Sequence, residues 1–299
     1  FKISDGKITE VTINNKERLP CDALVLAIGH SARDTYENLY QSGIELEAKP
    51  FAIGVRIEHP QELIDKAQYG EYAGDPNLNV ADYSLVFNDS ETNRSAYSFC
   101  MCPGGIVVGA TSEENQVVTN GMSNYQRNSG VANSAIIVTV NTDDFGGDVL
   151  DGISFQRKYE KLAFEVGGKN YNAPVQTVGD FLNNNVGRED FLVKPTYLPG
   201  VKTANLRECL PNFVTDTIAK ALPYFGQKIK GFDDPKVVMT GVETRTSAPV
   251  RIVRNKEMVS VKTEGLYPTG EGAGYAGGIM SAAIDGMNVA LKIINKYKM

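Results

Sequence analysis

The sequence has 299 residues, 42% hydrophobic and 22% charged, which is ordinary for a globular protein and long enough for one large domain or two medium ones. A formal net charge of −6 argues against nucleic acid as the main partner, because a phosphate backbone calls for a basic face. No run of about 18 apolar residues occurs, so no membrane span is expected, and the four scattered cysteines (Cys21, Cys100, Cys102, Cys209) point to a reducing, cytoplasmic setting.

The first residues, Phe1-Lys2-Ile3-Ser4-Asp5-Gly6, carry neither an initiator methionine nor a signal peptide and read as a strand entering a turn. The expectation is a fragment or processed piece of something longer. Lys2-Ile3-Ser4 and the run from Ile8 to Ile13 pair as a hairpin around Asp5-Gly6, with a second turn at Asn14-Asn15. Residues 23–28 are a continuous apolar run ending at Gly29, the pattern of a strand buried on both faces of a parallel sheet. Ser31 is placed to cap a helix from about Arg33 to Gln41 that stops at Gly43.

Residues 50–235 read as mixed α+β, with no internal repeat. Pro60 opens a short helix carrying Leu63, Ile64 and Ala67. The runs 97–102 and 106–110 flank Pro103-Gly104-Gly105 and read as a hairpin. Helical spacing recurs at Phe155, Tyr159, Leu162, Ala163 and Val166, at Val178, Phe181, Leu182 and Val186, and from Phe213 to Phe225, stopping near Gly226. From Lys236 the chain returns to strands: Val237-Val238-Met239, then 251–254 and 258–261 as a hairpin around Asn255-Lys256, then Leu266-Tyr267. The final set, Ile279, Ala282, Ala283, Met287, Ala290, Leu291 and Ile294, predicts a helix with its apolar face toward a core.

Between that strand and that helix lies GLYPTGEGAGYAGGI (265–279), in which Gly272, Gly274 and Gly277 spell the Gly-x-Gly-x-x-Gly fingerprint of dinucleotide-binding folds. An opening fingerprint also needs a second strand and an acid about twenty residues further on. The residues after Gly277 read as one helix, so the opening reading fails on geometry. Glycines let a backbone pass close to a flat ligand and permit positive φ. The segment runs into a helix N-terminus, whose free N–H groups and dipole favour negative charge. Those properties suit the pyrimidine edge of a reduced flavin, and Glu271 is suited to accept hydrogen bonds from ribityl hydroxyls. A tight loop with no ligand is the competing reading of the same residues.

Five blocks, CDALVLAIGHSARDT (21–35), FAIGVRIEHPQ (51–61), SFCMCPGGIVVGATSEE (98–114), TGVETRTSAPVRI (240–252) and GLYPTGEGAGYAGGIMSAAIDG (265–286), resemble a bacterial family of uncharacterised FAD-dependent dehydrogenases. More distantly, they are similar to other two-dinucleotide-fold flavoproteins. The resemblance covers essentially the whole chain, and its last block is the most specific. It implies an α/β fold: a split FAD-binding Rossmann-like domain, incomplete here, with an inserted α+β substrate or cap domain. Residues 1–49 and 236–299 would belong to the FAD-binding part and residues 50–235 to the insert.

Carried over by position, Ala27 and Gly29 match the Ala-x-Gly end of the family's return strand. Gly270 and Glu271 match the closing Gly-acid pair against the ribityl chain, and Gly272, Ala273, Gly274 and Tyr275 match the turn at the pyrimidine edge. The family's opening fingerprint is absent, so the fragment alone is expected to bind FAD weakly or not at all, with the missing N-terminal part of the same protein as its partner. The implied activity is transfer of hydride or electrons between a small-molecule substrate and FAD, with NAD(P)H as a candidate electron donor.

Other residues invite chemistry. Arg245, within Thr244-Arg245-Thr246-Ser247, is placed to anchor a carboxylate, a phosphate or the flavin carbonyls; a solvated turn is the alternative. Arg56 and His59 lie where the chain enters the insert and could line a cleft, although His59 before Pro60 could equally help start a helix. Cys100 and Cys102 would share one face of a strand, as small hydrophobes or as thiols near flavin or substrate. No metal site is expected, since two further ligands are lacking. Two rival functions stand beside the oxidoreductase: a non-catalytic binding module with a structural or absent flavin, and a flavin-dependent enzyme acting on RNA, against which the acidic balance counts.

Overall fold

The stretch FAIGVRIEHP folds as the strand Phe51–Pro60, whose side chains are buried at every position but the last. Such burial requires neighbours on both edges and cover on both faces. The computed structural model, which describes residues 1–298, supplies them. A seven-stranded, mostly antiparallel sheet runs in the order Val201–Thr203, Ala173–Thr177, Val238–Glu243, Phe51–Pro60, Val131–Val140, Arg94–Cys102, Val86–Asp89. The helix Asn212–Lys228 buries Val214, Ile218, Ala221, Leu222 and Phe225, at the spacing expected for one helical face. It runs through Pro223 and past Gly226, the expected stop.

This sheet is the heart of one compact unit, residues 52–139 and 156–244. A second unit gathers residues 1–51, 140–155 and the segment from 245 onward. It holds an antiparallel meander of Lys2–Ser4, Lys7–Ile13 and Glu17–Pro20, with the hairpin and turn at the expected places. Two further strand pairs complete it. Leu24–Leu26 lies parallel to Leu266–Pro268, and Leu46–Ala48 lies antiparallel to Val250–Ile252. The helix Arg33–Gln41 packs Tyr36 and Leu39 into a core with Ile44, Leu46, Val250, Ile252, Leu266 and Ala273. The whole is therefore a mixed α/β fold. None of the described helices is long and apolar enough to cross a membrane.

Several local expectations give way to tertiary pairing. The strand Leu24–Leu26 is parallel as expected but not buried on both faces, since Val25 is 48% exposed. No hairpin joins 97–102 to 106–110. Gly104, at φ 53°, turns the chain against the Arg127 backbone, and Gly105–Gly109 pairs instead with Thr119–Ser123. The 251–261 hairpin reduces to a single bridge between Arg254 and Ser260, because Met258 takes a positive φ and Val250–Ile252 is claimed by Leu46–Ala48. Ser31 does not cap its helix; Ala32 holds that position, and the Ser31 hydroxyl pairs with His30 Nδ1 at 3.1 Å. Val186 falls outside the short helix Val178–Leu182. The segment 236–243, expected with the closing residues, supplies an interior strand of the large sheet, paired on both edges.

The final helix, Ile279–Tyr297, departs most from expectation. Only Asp285 and Val289 are buried on it, whereas Ile279, Met280, Ile284, Met287, Leu291 and Ile294 are each more than half exposed. Its inward side is a narrow strip packed on Val259 and Tyr267. The broad apolar face is therefore open among the described residues.

The centre of the large sheet tolerates no added atom at Gly54. A Cβ there would lie 1.9 Å from the Ile136 carbonyl oxygen, a backbone atom that cannot move aside alone. Gly54→Ala is expected to cost about 3 kcal/mol or more in urea unfolding; a change below about 0.5 kcal/mol, typical of surface substitutions, would contradict this packing.

Candidate functional site

The parallel register pairs Leu24 with Leu266, Val25 with Tyr267 and Leu26 with Pro268, so both strands finish side by side. In α/β sheets the carboxyl ends of parallel strands are where nucleotide ligands bind. Here each strand runs into a glycine turn. The Thr269 N–H donates to the Leu26 carbonyl at 3.0 Å, which carries the pairing one step further. The turns then touch through their backbones: a Cβ on Gly272 would lie 2.4 Å from the Gly29 oxygen and 2.7 Å from its nitrogen and carbonyl carbon. Gly29 itself has φ 72°, a value that favours glycine. Tyr36 closes the contact. Its hydroxyl donates to the Gly272 carbonyl at 2.7 Å and lies 3.0 Å from the Gly29 carbonyl.

The closing turn is held from behind. The Gly270 N–H donates to Asp285 Oδ2 at 2.7 Å, the Gly274 N–H to the Glu271 carbonyl at 3.1 Å, and the Tyr275 N–H to the Gly270 carbonyl at 3.3 Å. Asp285 is also paired with Arg254, at 2.5 Å and 3.0 Å. Burial works to raise its pKa, but the hydrogen bonds from Arg254 and Gly270 prevail and hold the carboxyl below its ordinary value. The Arg254 guanidinium stacks 3.8 Å from the centre of the Tyr275 ring, and the Arg254 N–H donates to the Tyr275 hydroxyl at 3.1 Å. The Ala273 side chain is in the core, and its carbonyl accepts from the Ile252 N–H at 3.2 Å. The opposite side of the turn is open: nothing lies within 4 Å of a Cβ built on Gly29, Gly277 or Gly278. Gly278 then begins the final helix, whose first N–H groups have no helical acceptor.

Of the residues expected to hold a cofactor, the structure thus brings Ala27 and Gly29 to the same place as Gly270, Glu271, Gly272, Ala273, Gly274 and Tyr275. Within that group Ala273 and Tyr275 support the turn rather than face its open side. The half-buried Glu271 lies close enough for its charge, after burial, to raise the Tyr36 phenol pKa. It also acts on Lys49, where it opposes the lowering due to burial and to Arg251. The buried Arg245 stands near the residue after Gly29, since burial, Arg245 and Arg33 together lower the pKa of His30. The expected hydroxyl cluster around Arg245 disperses. Thr244 donates to Glu160 Oε1 at 2.6 Å, and the Ser247 hydroxyl accepts from Lys49 Nζ at 3.3 Å.

Three residues that position the turns escape sequence reasoning: Tyr36, Arg254 and Asp285. Asp285 alone carries a signal, being an acid on the inward side of an apolar helix. A cleft of about 670 Å³ elsewhere in this unit is lined by Glu257, Lys262, Glu264, Lys292 and Lys296. Its lysines are paired, Lys292 with Glu257 and Lys296 with Glu264, and none of the glycine-turn residues reaches it.

In the large-sheet unit Arg56 and His59 are both fully buried, so neither meets a substrate. His59 Nε2 pairs with the Phe232 carbonyl at 2.8 Å and its ring stacks on Phe232 at 4.4 Å; it is a core residue. Among the described residues no three His, Cys, Asp or Glu side chains converge as metal ligands.

Comparison with known proteins adds the family. The model of the family described as "FAD-dependent protein, C-terminal domain-like" matches residues 50–246. An uncharacterised protein of Clostridium beijerinckii is 53% identical over 294 residues, which is 98% of this chain and 55% of that protein. The chain therefore spans about half the length of the curated relative it matches.

Burial pushes the His59 imidazole down to about 4, although its bond to Phe232 and the charge of Asp234 work the other way. The unfolded chain takes up that proton near the ordinary histidine value, the folded chain only near 4, so stability is lost as pH falls through this window. Relative to His59→Gln, the unaltered chain should lose about 3 kcal/mol between pH 7 and pH 4 in urea unfolding. Glu58 and Glu243, pushed up to about 7 by burial, titrate in both chains and cancel in the difference. Parallel pH profiles for the two chains would contradict the burial of His59.

Proposed function

Because the chain belongs to the family of FAD-dependent protein C-terminal domain-like sequences, we propose that it is the C-terminal part of an FAD-dependent oxidoreductase. In this reading it holds the flavin end of a split, Rossmann-like FAD site. The observation that carries it is the meeting of the glycine turns 27–29 and 270–275 at the carboxyl ends of two parallel strands. One side of those turns is fixed by Tyr36, Asp285 and Arg254. The other side offers bare glycine backbone and a helix N-terminus.

FAD, when bound, supplies the two-electron chemistry, and the protein supplies position and electrostatics. Glu271 accepts hydrogen bonds from ribityl hydroxyls. The N-terminus of the final helix places its N–H groups and dipole against the negative pyrimidine edge. Arg245 anchors an anionic group beside the turn that ends at Gly29. The substrate is a small molecule, and NAD(P)H is the electron donor this reading favours. The pyrophosphate and adenine are held by sequence equivalent to the part of the Clostridium relative outside the match. That sequence seats on the exposed apolar face formed by Ile279, Met280, Ile284, Met287 and Leu291. Free cysteines throughout agree with a reducing, cytoplasmic setting.

Flavin fluorescence tests the reading. The 299-residue chain titrated with FAD should show a Kd weaker than about 1 μM. A longer polypeptide carrying the remaining portion should purify yellow, with a flavin band that NAD(P)H bleaches. In that polypeptide Glu271→Gln should weaken FAD binding about tenfold without changing stability. Tight binding by the 299-residue chain would overturn the split site, and a colourless longer polypeptide would overturn the flavin.

A further inference from the structure

The segment Phe99-Cys100-Met101-Cys102 forms a built feature of the large sheet that the flavin reading does not use. The strand Arg94–Cys102 pairs with Val131–Val140, and the register slips between Ala135–Phe99 and Asn133–Cys102. Two steps on one strand face three on the other, which is a β-bulge centred on Cys100 and Met101. Bulges re-aim side chains and recur beside functional groups. Cys100 takes φ 46°, an uncommon value for a residue with a side chain and one that stores strain. The bulge leaves Cys100 exposed and Cys102 buried. It also turns the Cys100 carbonyl inward, where it accepts from Arg56 Nη1 at 2.8 Å and from the Cys102 thiol at 3.3 Å.

Behind the two sulfurs the polar cluster is elaborate. Arg56 is fully buried and held by Glu243 at 2.5 Å and 3.3 Å, by Asn120 Oδ1 at 2.9 Å and by Asn133 Oδ1 at 3.2 Å. Gly121 makes room for it, since a Cβ there would lie 2.5 Å from Arg56 Nη1. Asn133 sits opposite Cys102 in the register and is fully buried, yet its Nδ2 donor has no partner. A buried donor without an acceptor costs free energy unless something comes to accept from it. A guanidinium and an idle amide behind an exposed thiol are the surroundings that favour a thiolate.

We propose that Cys100 and Cys102 are a dithiol–disulfide couple, in which the exposed Cys100 attacks and the buried Cys102 resolves, with a low-molecular-weight disulfide as oxidant. In the first step the Cys100 thiolate forms a bond to one sulfur of the small disulfide, and the other sulfur leaves as a thiolate that takes up a proton. In the second, Cys102 gives its proton to solvent and attacks the Cys100 sulfur, and the second small thiol departs. The protein loses two electrons and two protons, and one small disulfide takes them up to become two thiols. The charge distribution agrees with this order. Side-chain hydrogen bonding with the neighbouring Cys102 thiol, separate from that thiol's bond to the Cys100 carbonyl, holds the Cys100 thiol below its ordinary pKa; burial opposes this and the Arg56 charge assists it. The same side-chain hydrogen bonding and burial push Cys102 upward, so it keeps its proton until Cys100 has reacted.

Glutathione disulfide is the probe. Both cysteines fall in the single tryptic peptide spanning residues 95–127, so a bond between them stays within one fragment. Mass spectrometry of the treated chain should show this peptide lighter by two hydrogens, and Cys102→Ser should stop at Cys100 carrying one glutathionyl group. On the untreated chain at pH 6, iodoacetamide should label Cys100 at least about tenfold faster than the half-buried Cys21. Labelling of Cys100 no faster than Cys21, or glutathionylation of the unaltered chain that goes no further, would overturn the proposal. The labelling and the mass of the unaltered chain require no variant to fold.

Discussion

The contact between the backbones of Gly29 and Gly272 is the constraint on which the smaller unit depends. It brings two peptide planes so close that Gly272 has no space for a side chain against the Gly29 backbone. A gap that narrow excludes water, so the two carbonyls need another donor, and Tyr36 provides it from a residue 236 positions away from Gly272 in sequence. The remaining restraints serve the same end. Asp285 fixes the Gly270 amide, Arg254 fixes Asp285, and the Tyr275 ring lies on Arg254. A charged pair with 7% and 10% exposed side chains is costly to desolvate and holds only when its other hydrogen bonds are met, as they are here. The result is a turn whose back is rigid and whose front is bare backbone, the arrangement a preorganised cofactor site needs.

The larger unit rests on an analogous device of different chemistry. Arg56 and Glu243 lie on neighbouring strands of the sheet, both out of water, and the guanidinium reaches three other groups, the Cys100 carbonyl, Asn133 and Asn120. Removing either partner would leave an uncompensated buried charge, worth about 3–5 kcal/mol. Because one of those bonds goes to the Cys100 carbonyl, the ion pair also sets the bulge that separates an exposed from a buried thiol. Stability and local chemistry are thus coupled through a single side chain.

The features legible in the sequence obey local rules. Turn residues place the Asp5-Gly6 and Asn14-Asn15 hairpins, helical spacing places the helices from Asp151 and Asn212, and the glycine run marks the turn before the last helix. The glycines of the two touching turns are legible because glycine at such positions has a backbone reason to be there. Long-range pairing is not. Nothing local distinguishes a strand 251–254 that returns on itself from one that joins Leu46–Ala48, and nothing in Pro103-Gly104-Gly105 says that the chain leaves the sheet. Tyr36 looks like an ordinary apolar face of a helix, because a hydroxyl that caps two distant carbonyls has no sequence neighbour to betray it. The helix Ile279–Tyr297 misleads for the opposite reason. Its apolar pattern specifies burial, but not by what, and among the described residues only Asp285 and Val289 of this helix are fully covered.

Hydrogen–deuterium exchange with and without FAD tests the split flavin site most directly, on a polypeptide that includes sequence equivalent to the unmatched part of the Clostridium relative. A split site predicts slowed exchange on FAD binding in two separate segments at once, residues 28–31 and residues 270–280, with little change in the sheet around Arg56. Slowed exchange elsewhere with both glycine segments unaffected would contradict it.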